Sequence, residues 1–62
     1  MSMLSFHIYR DAKGEYRWRL RAANGKVIAD SGEGYVDKAD CWSMADYIRK
    51  SVAGAVIHDD VA

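Results

Sequence analysis

Arg17, Arg19 and Arg21 alternate with Tyr16, Trp18 and Leu20 in one run, so an extended backbone carries three guanidinium groups on one side and three large apolar groups on the other. Residues two apart on a strand are about 6.5 to 7 Å from each other. That is close to the phosphate spacing of an extended single strand, and Tyr9 and His7 from a preceding strand would add stacking groups to the same face. One reading is therefore nucleic-acid binding through Arg17, Arg19, Arg21 and Tyr9. The other is a solvated or partner-covered outer face of a one-layer sheet. Its arginines would then pair across strands with Glu15 or Asp30, or with the Asp59-Asp60 tail of a second copy.

Other reactive residue types lack the spacing that chemistry needs. Cys41 lies near a helix start, where a thiolate is stabilised, yet it also falls on the apolar stripe of that helix and reads as a small buried hydrophobe. His7 and His58, with Cys41 and the terminal aspartates, form no i,i+4 or C-x-x-C pattern, so no metal site is expected. The Ser31-Gly32-Glu33-Gly34 loop lacks the lysine of a P-loop and the third glycine of a dinucleotide fingerprint. Glu33, Asp37 and Asp40 would also repel an anion there, so the loop reads as a turn from sheet to helix. Ser31 is outside a nucleophile elbow, and Asp59-Asp60 sit in a tail without a pocket. No catalytic residue, cofactor or small-molecule substrate is inferred.

The elements that position these residues follow from alternation and turn signals. Phe6, Ile8 and Arg10 alternate with His7 and Tyr9 to give a strand over about 5–10. Asp11-Ala12-Lys13-Gly14 then forms a turn, and a second strand runs over about 15–22. Asn24-Gly25 predicts a hairpin with a type I′ turn, returning as a third strand over about 26–31, in which Val27 and Ala29 compete with Ile28 for the inward side. Asp37 is placed to N-cap a helix over about 37–53. In that helix Cys41, Met44, Ala45, Ile48 and Val52 make one apolar stripe, and Gly54 fits a C-terminal cap. Trp42 lies about 100° around from Cys41, on the flank of the stripe, as an edge of the core or an interface anchor. Residues 55–62 hold Val56 and Ile57, enough for a short edge strand or else a frayed tail.

Sixty-two residues make one domain with a thin core. Burial stabilises a compact chain of this size by roughly 90 kcal/mol, and ordering it costs roughly 90. One cysteine excludes an internal disulfide, so association is the expected support. Net charge is zero, but residues 1–30 carry six Lys/Arg and three acids (+3), and residues 31–62 carry three and six (−3). That asymmetry suits subunit steering better than binding to a polyanion. No secretory leader or bilayer-spanning run is expected, which makes the cytoplasm the default compartment.

The run FHIYRDAKGEYRWRLRAANGKVIADSGEGYVDKADC, residues 6–41, resembles the YegP-like family of small domains of unknown function. The resemblance implies an α+β fold, a three-stranded antiparallel β-meander followed by one packed α-helix. It also implies that a single-copy chain is a homodimer reproducing the arrangement of tandem members, and it implies no established activity or cofactor. The helix departs from the family pattern at Trp42, Met44 and Ala45. The expected dimer interface takes in Trp42, Val56 and Ile57.

Overall fold

Both hairpins are closed by the same local chemistry. In the first, the Asp11 carbonyl accepts the Gly14 N–H at 3.0 Å, and the Asp11 side chain accepts the Lys13 and Glu15 N–H groups at 2.9 and 3.0 Å. In the second, the Ala22 carbonyl accepts the Gly25 N–H at 2.9 Å, and the Asn24 side chain accepts the Lys26 N–H at 2.9 Å. Gly14 and Gly25 each have φ of 84°, the left-handed region that a side chain disfavours. Among the described residues no other type has positive φ, so Asn24-Gly25 is not the expected type I′ turn. A tight turn followed by one left-handed glycine closes each loop instead, and Asn24 contributes through its side-chain oxygen.

The computed structural model describes residues 3–61. Its elements are β1 (Ser5–Arg10), β2 (Tyr16–Arg21), β3 (Val27–Asp30) and α1 (Lys38–Ser51), with a single 3-10 turn (Val52–Gly54) after the helix. The sheet is antiparallel in the order β1-β2-β3, which gives the expected α+β meander plus helix. Pairing Phe6 with Leu20 and Ile8 with Trp18 puts the apolar residues of β1 and β2 on one side. The third strand is shorter than expected and bulged. Leu20 pairs with Ala29 but Arg21 pairs with Val27, which leaves Ile28 as the extra residue. Ala29 thereby takes the side of Leu20, and Val27 that of Arg21.

Past β3 the ladder continues irregularly. Ser31 is buried, donates its N–H to the Trp18 carbonyl at 2.9 Å and accepts the Trp18 N–H on its hydroxyl at 3.3 Å. The chain then loops out and returns at Tyr35, which exchanges two backbone hydrogen bonds with Tyr16, each 2.8 Å. Gly34 is required there by close approach: a Cβ on it would lie 2.8 Å from the Glu15 Cβ.

Asp37 occupies the N-cap position of α1 with extended backbone, but its side chain makes no cap hydrogen bond. At the other end the helix tightens into the 3-10 turn, the Ala55 N–H reaching the Val52 carbonyl at 3.0 Å. Gly54 lacks the positive φ of a glycine cap, so the expected cap is replaced by that turn. The helix lies on the apolar side of the sheet. Trp18, Cys41 and Ala45 are the buried apolar centre, ringed by half-buried Phe6, Ile8, Tyr16, Leu20, Tyr35 and Ile48. Phe6 meets Trp18 edge-on at 5.5 Å. Among the described residues no strand follows the helix, and residues 55–61 run exposed.

Candidate functional site: an arginine face and an apolar trough

The two sides of the sheet carry the two candidate sites. On the outer side, Tyr9 pairs with Arg17, His7 with Arg19 and Ser5 with Arg21, so the structure brings the ladder and the stacking residues onto one face. The three arginines differ in what holds them. Arg17 Nε donates to Asp11 Oδ2 at 2.7 Å, and Arg17 Nη1 reaches the Ser31 carbonyl at 3.4 Å. That contact, with the N–H groups of Glu15 and Lys13, holds the Asp11 carboxyl below its ordinary range, and it raises the Arg17 guanidinium. The partner expected from alternation was Glu15 or Asp30. Asp11 wins because the hairpin turn folds back beside Tyr9, directly across from Arg17.

Arg19 instead places its guanidinium carbon over the Tyr9 ring, 3.8 Å from its centroid. Asp30 is opposite Arg19 in the ladder, yet no ion pair joins them. Arg21 has no ion pair among the described residues, and its Nε is buried without a hydrogen-bond partner. His7 shares a 2.9 Å hydrogen bond with the Ser5 hydroxyl.

On the inner side the helix leaves an open apolar trough of about 590 Å³ beside β1. Leu4, Phe6 and Leu20 line it from the sheet, and Trp42, Ile48 and Val52 from the helix. Trp42, 56% exposed, stands on the flank of the stripe at its edge. Asp46 on the rim is held by Arg49 at 2.6 Å and Lys50 at 3.0 Å, which together keep its carboxyl below the ordinary range. Val56 and Ile57 lie beyond the helix, 75% and 95% exposed. Val52 reaches the trough as a member of the predicted helix stripe, whereas Leu4 is a trough residue that the sequence pattern did not single out, since its role depends on where the helix sits over the sheet.

The remaining candidates are dispersed. Cys41 is fully buried, and burial pushes its thiol up, the opposite of an activated nucleophile. Burial and then the Glu33 carboxylate raise the Tyr35 hydroxyl. Among the described residues no three of His, Cys, Asp and Glu gather to hold a metal ion. Asp59 accepts the Val61 N–H at 3.0 Å within the tail. No helix among the described residues is long and apolar enough to cross a membrane.

Comparison with known proteins places this geometry. Residues 11–59 match the profile of a domain of unknown function, DUF1508. A UPF0339 protein of Neisseria meningitidis serogroup B is 48% identical over 54 residues, covering 87% of this chain and 95% of that one. One from Methanosarcina acetivorans is 38% identical over 55 residues, covering 89% and 93%. The solution structure of a protein from Haloferax volcanii superposes with a TM-score of 0.85 at 34% identity, covering 95% of this chain and 98% of that one. A shared meander-plus-helix fold and these identities lead to one conclusion: the chain belongs to the DUF1508 family of UPF0339 proteins, the uncharacterised YegP-like domains.

Proposed function

We propose that this protein is a small, non-catalytic, homodimeric interaction module of the cytoplasm, and that the apolar trough is the seat of a second copy. The carrying observation is the surface of the single chain. It exposes 5110 Å², whereas a compact monomer of this mass exposes about 4,000 Å². The excess of roughly 1,000 Å² is comparable to the area of about 800 Å² that each partner contributes to a standard interface. The radius of gyration, 13.1 Å, also exceeds the value of about 10.5 Å for a compact chain of this length.

The tail is the complementary part. Residues 55–61 form no helix or strand, could reach at most about 23 Å if drawn out, and leave Val56 and Ile57 exposed. β1 is an edge strand, so its outward N–H and C=O groups are unpaired by sheet, and the trough runs along it. A tail from a second copy laid on that edge fills the trough, and two-fold symmetry makes the exchange reciprocal. The half-buried ring around Trp18, Cys41 and Ala45 then becomes the centre of a larger core. Burial holds the Cys41 thiol and the Tyr35 hydroxyl protonated, which speaks against either as a nucleophile.

Sedimentation equilibrium tests it. The expected species at micromolar concentration has twice the 7.0 kDa monomer mass. A stable folded monomer under those conditions refutes the proposal.

A further inference from the structure

A dimer built through the trough leaves the opposite side of the sheet uncovered. We infer that this outer face binds single-stranded nucleic acid, with Arg19 on Tyr9 as a stacking platform and Arg21 as the principal phosphate contact. The inference goes beyond the assembly reading and stands on different residues.

Of the three arginines, Arg17 is already neutralised by Asp11 at 2.7 Å and is not part of the site. Arg19 has its guanidinium carbon over the Tyr9 ring, 3.8 Å from the centroid, and brings a planar cation to that face. A nucleobase stacks on such a plane, and every base has a face to offer. Arg21, two residues along the same strand, has no ion pair among the described residues, so its guanidinium charge is not neutralised. The separation of about 6.5 to 7 Å between alternate strand residues suits one nucleotide step of an extended strand. Asp30, opposite Arg19 on the β3 side, repels phosphates there and directs the backbone toward β1, over His7 and Ser5. An acidic protein segment would need only point charges. The stacked Arg19–Tyr9 pair favours a ligand with aromatic faces.

The test uses the full chain and a fluorescein-labelled oligo(dT) or oligo(U) of about 12 nucleotides, followed by anisotropy. Two phosphate contacts per chain give a slope of log affinity on log salt of about −1.4, so binding weakens about sevenfold from about 50 to 200 mM salt. Arg19→Ala is expected to lose roughly 5- to 150-fold, the range for one stacked base, and Arg17→Ala less than about twofold. If Arg19→Ala proves unfolded by circular dichroism, Arg19→Lys takes its place: it keeps the charge but not the plane, and wild-type affinity in it overturns the platform. Equal losses in Arg17→Ala and Arg19→Ala overturn the assignment, as does the absence of binding at low salt. Poly-glutamate binding as tightly as the oligonucleotide overturns the ligand class. Sedimentation of the same samples separates the two proposals: a dimer that binds no oligonucleotide removes this one alone, and a monomer that binds removes only the assembly.

Discussion

Ile57→Ala is the sharpest probe of the assembly, because the side chain is 95% exposed in the single chain and contributes nothing to its core. Within one chain, the substitution should change stability by no more than about 0.5 kcal/mol. Seated in the trough of a second copy, each Ile57 loses about 2 kcal/mol of burial when shortened to alanine. Two such sites per dimer make about 4 kcal/mol, which raises the dissociation constant by about three orders of magnitude. Sedimentation equilibrium reads that directly, and the melting temperature, which depends on concentration for an associating protein, reads it independently. Wild type and Ile57→Ala should converge at high dilution and diverge at high concentration. An unchanged dissociation constant refutes the seating of the tail. Destabilisation that is the same at every concentration also refutes it, since it would mean that Ile57 acts within its own chain.

Asp11 accepts three hydrogen bonds, and its carboxyl is held below the ordinary range, chiefly by Arg17. A depressed folded pKa means that its stabilisation is present above the unfolded value of about 3.9 and is lost as pH falls through the folded value. Asp11→Asn should therefore melt below wild type at neutral pH and show a shallower loss of stability below about pH 4, by circular dichroism; parallel acid limbs count against the contact. Gly34→Ala places a Cβ 2.8 Å from the Glu15 Cβ and is expected to cost about 1 to 3 kcal/mol in chemical denaturation, whereas Gly32→Ala, with no atom within 4 Å, should be near neutral. Equal effects at the two glycines would contradict the close approach of the loop to β2. Cys41 should resist a bulky thiol reagent in the folded protein and react promptly in denaturant, because it is wholly buried with its thiol raised. Rapid labelling of the native protein would place it elsewhere.

The features legible in the sequence are those set by neighbours along the chain. Alternation over 16–21 puts Trp18 and Leu20 on the covered side and the arginines on the other, since a strand has period two whatever surrounds it. Glycine at 14 and 25 marks both turns, because each sits at positive φ. The turn geometry at Asn24-Gly25 was not legible: the pair suits a two-residue loop, but Asn24 caps Lys26 and only Gly25 turns left-handed. At Gly54 the helix has already tightened into a 3-10 turn, so no left-handed residue is needed. The partner of Arg17 was likewise hidden, since Asp11 reads as a turn residue and becomes an ion-pair partner only when the hairpin closes.

The trough has a geometric origin that no local pattern encodes. Three strands about 4.8 Å apart present a face roughly 14 Å wide, while one helix with its side chains covers about 10 to 12 Å. A single helix therefore has to favour one margin of the sheet. Here α1 packs over β2 and β1, and an apolar trough remains between the helix and β1, lined by Leu4, Phe6 and Val52. A further segment on the β1 edge would fill that trough. The chain carries such a segment at 55–61, outside any helix or strand and with Val56 and Ile57 exposed, attached to the end of the helix. The proposed exchange with a second copy would use both the open edge and this segment. It would do so without covering Arg19, Tyr9 or Arg21, which lie on the other side of the same strands.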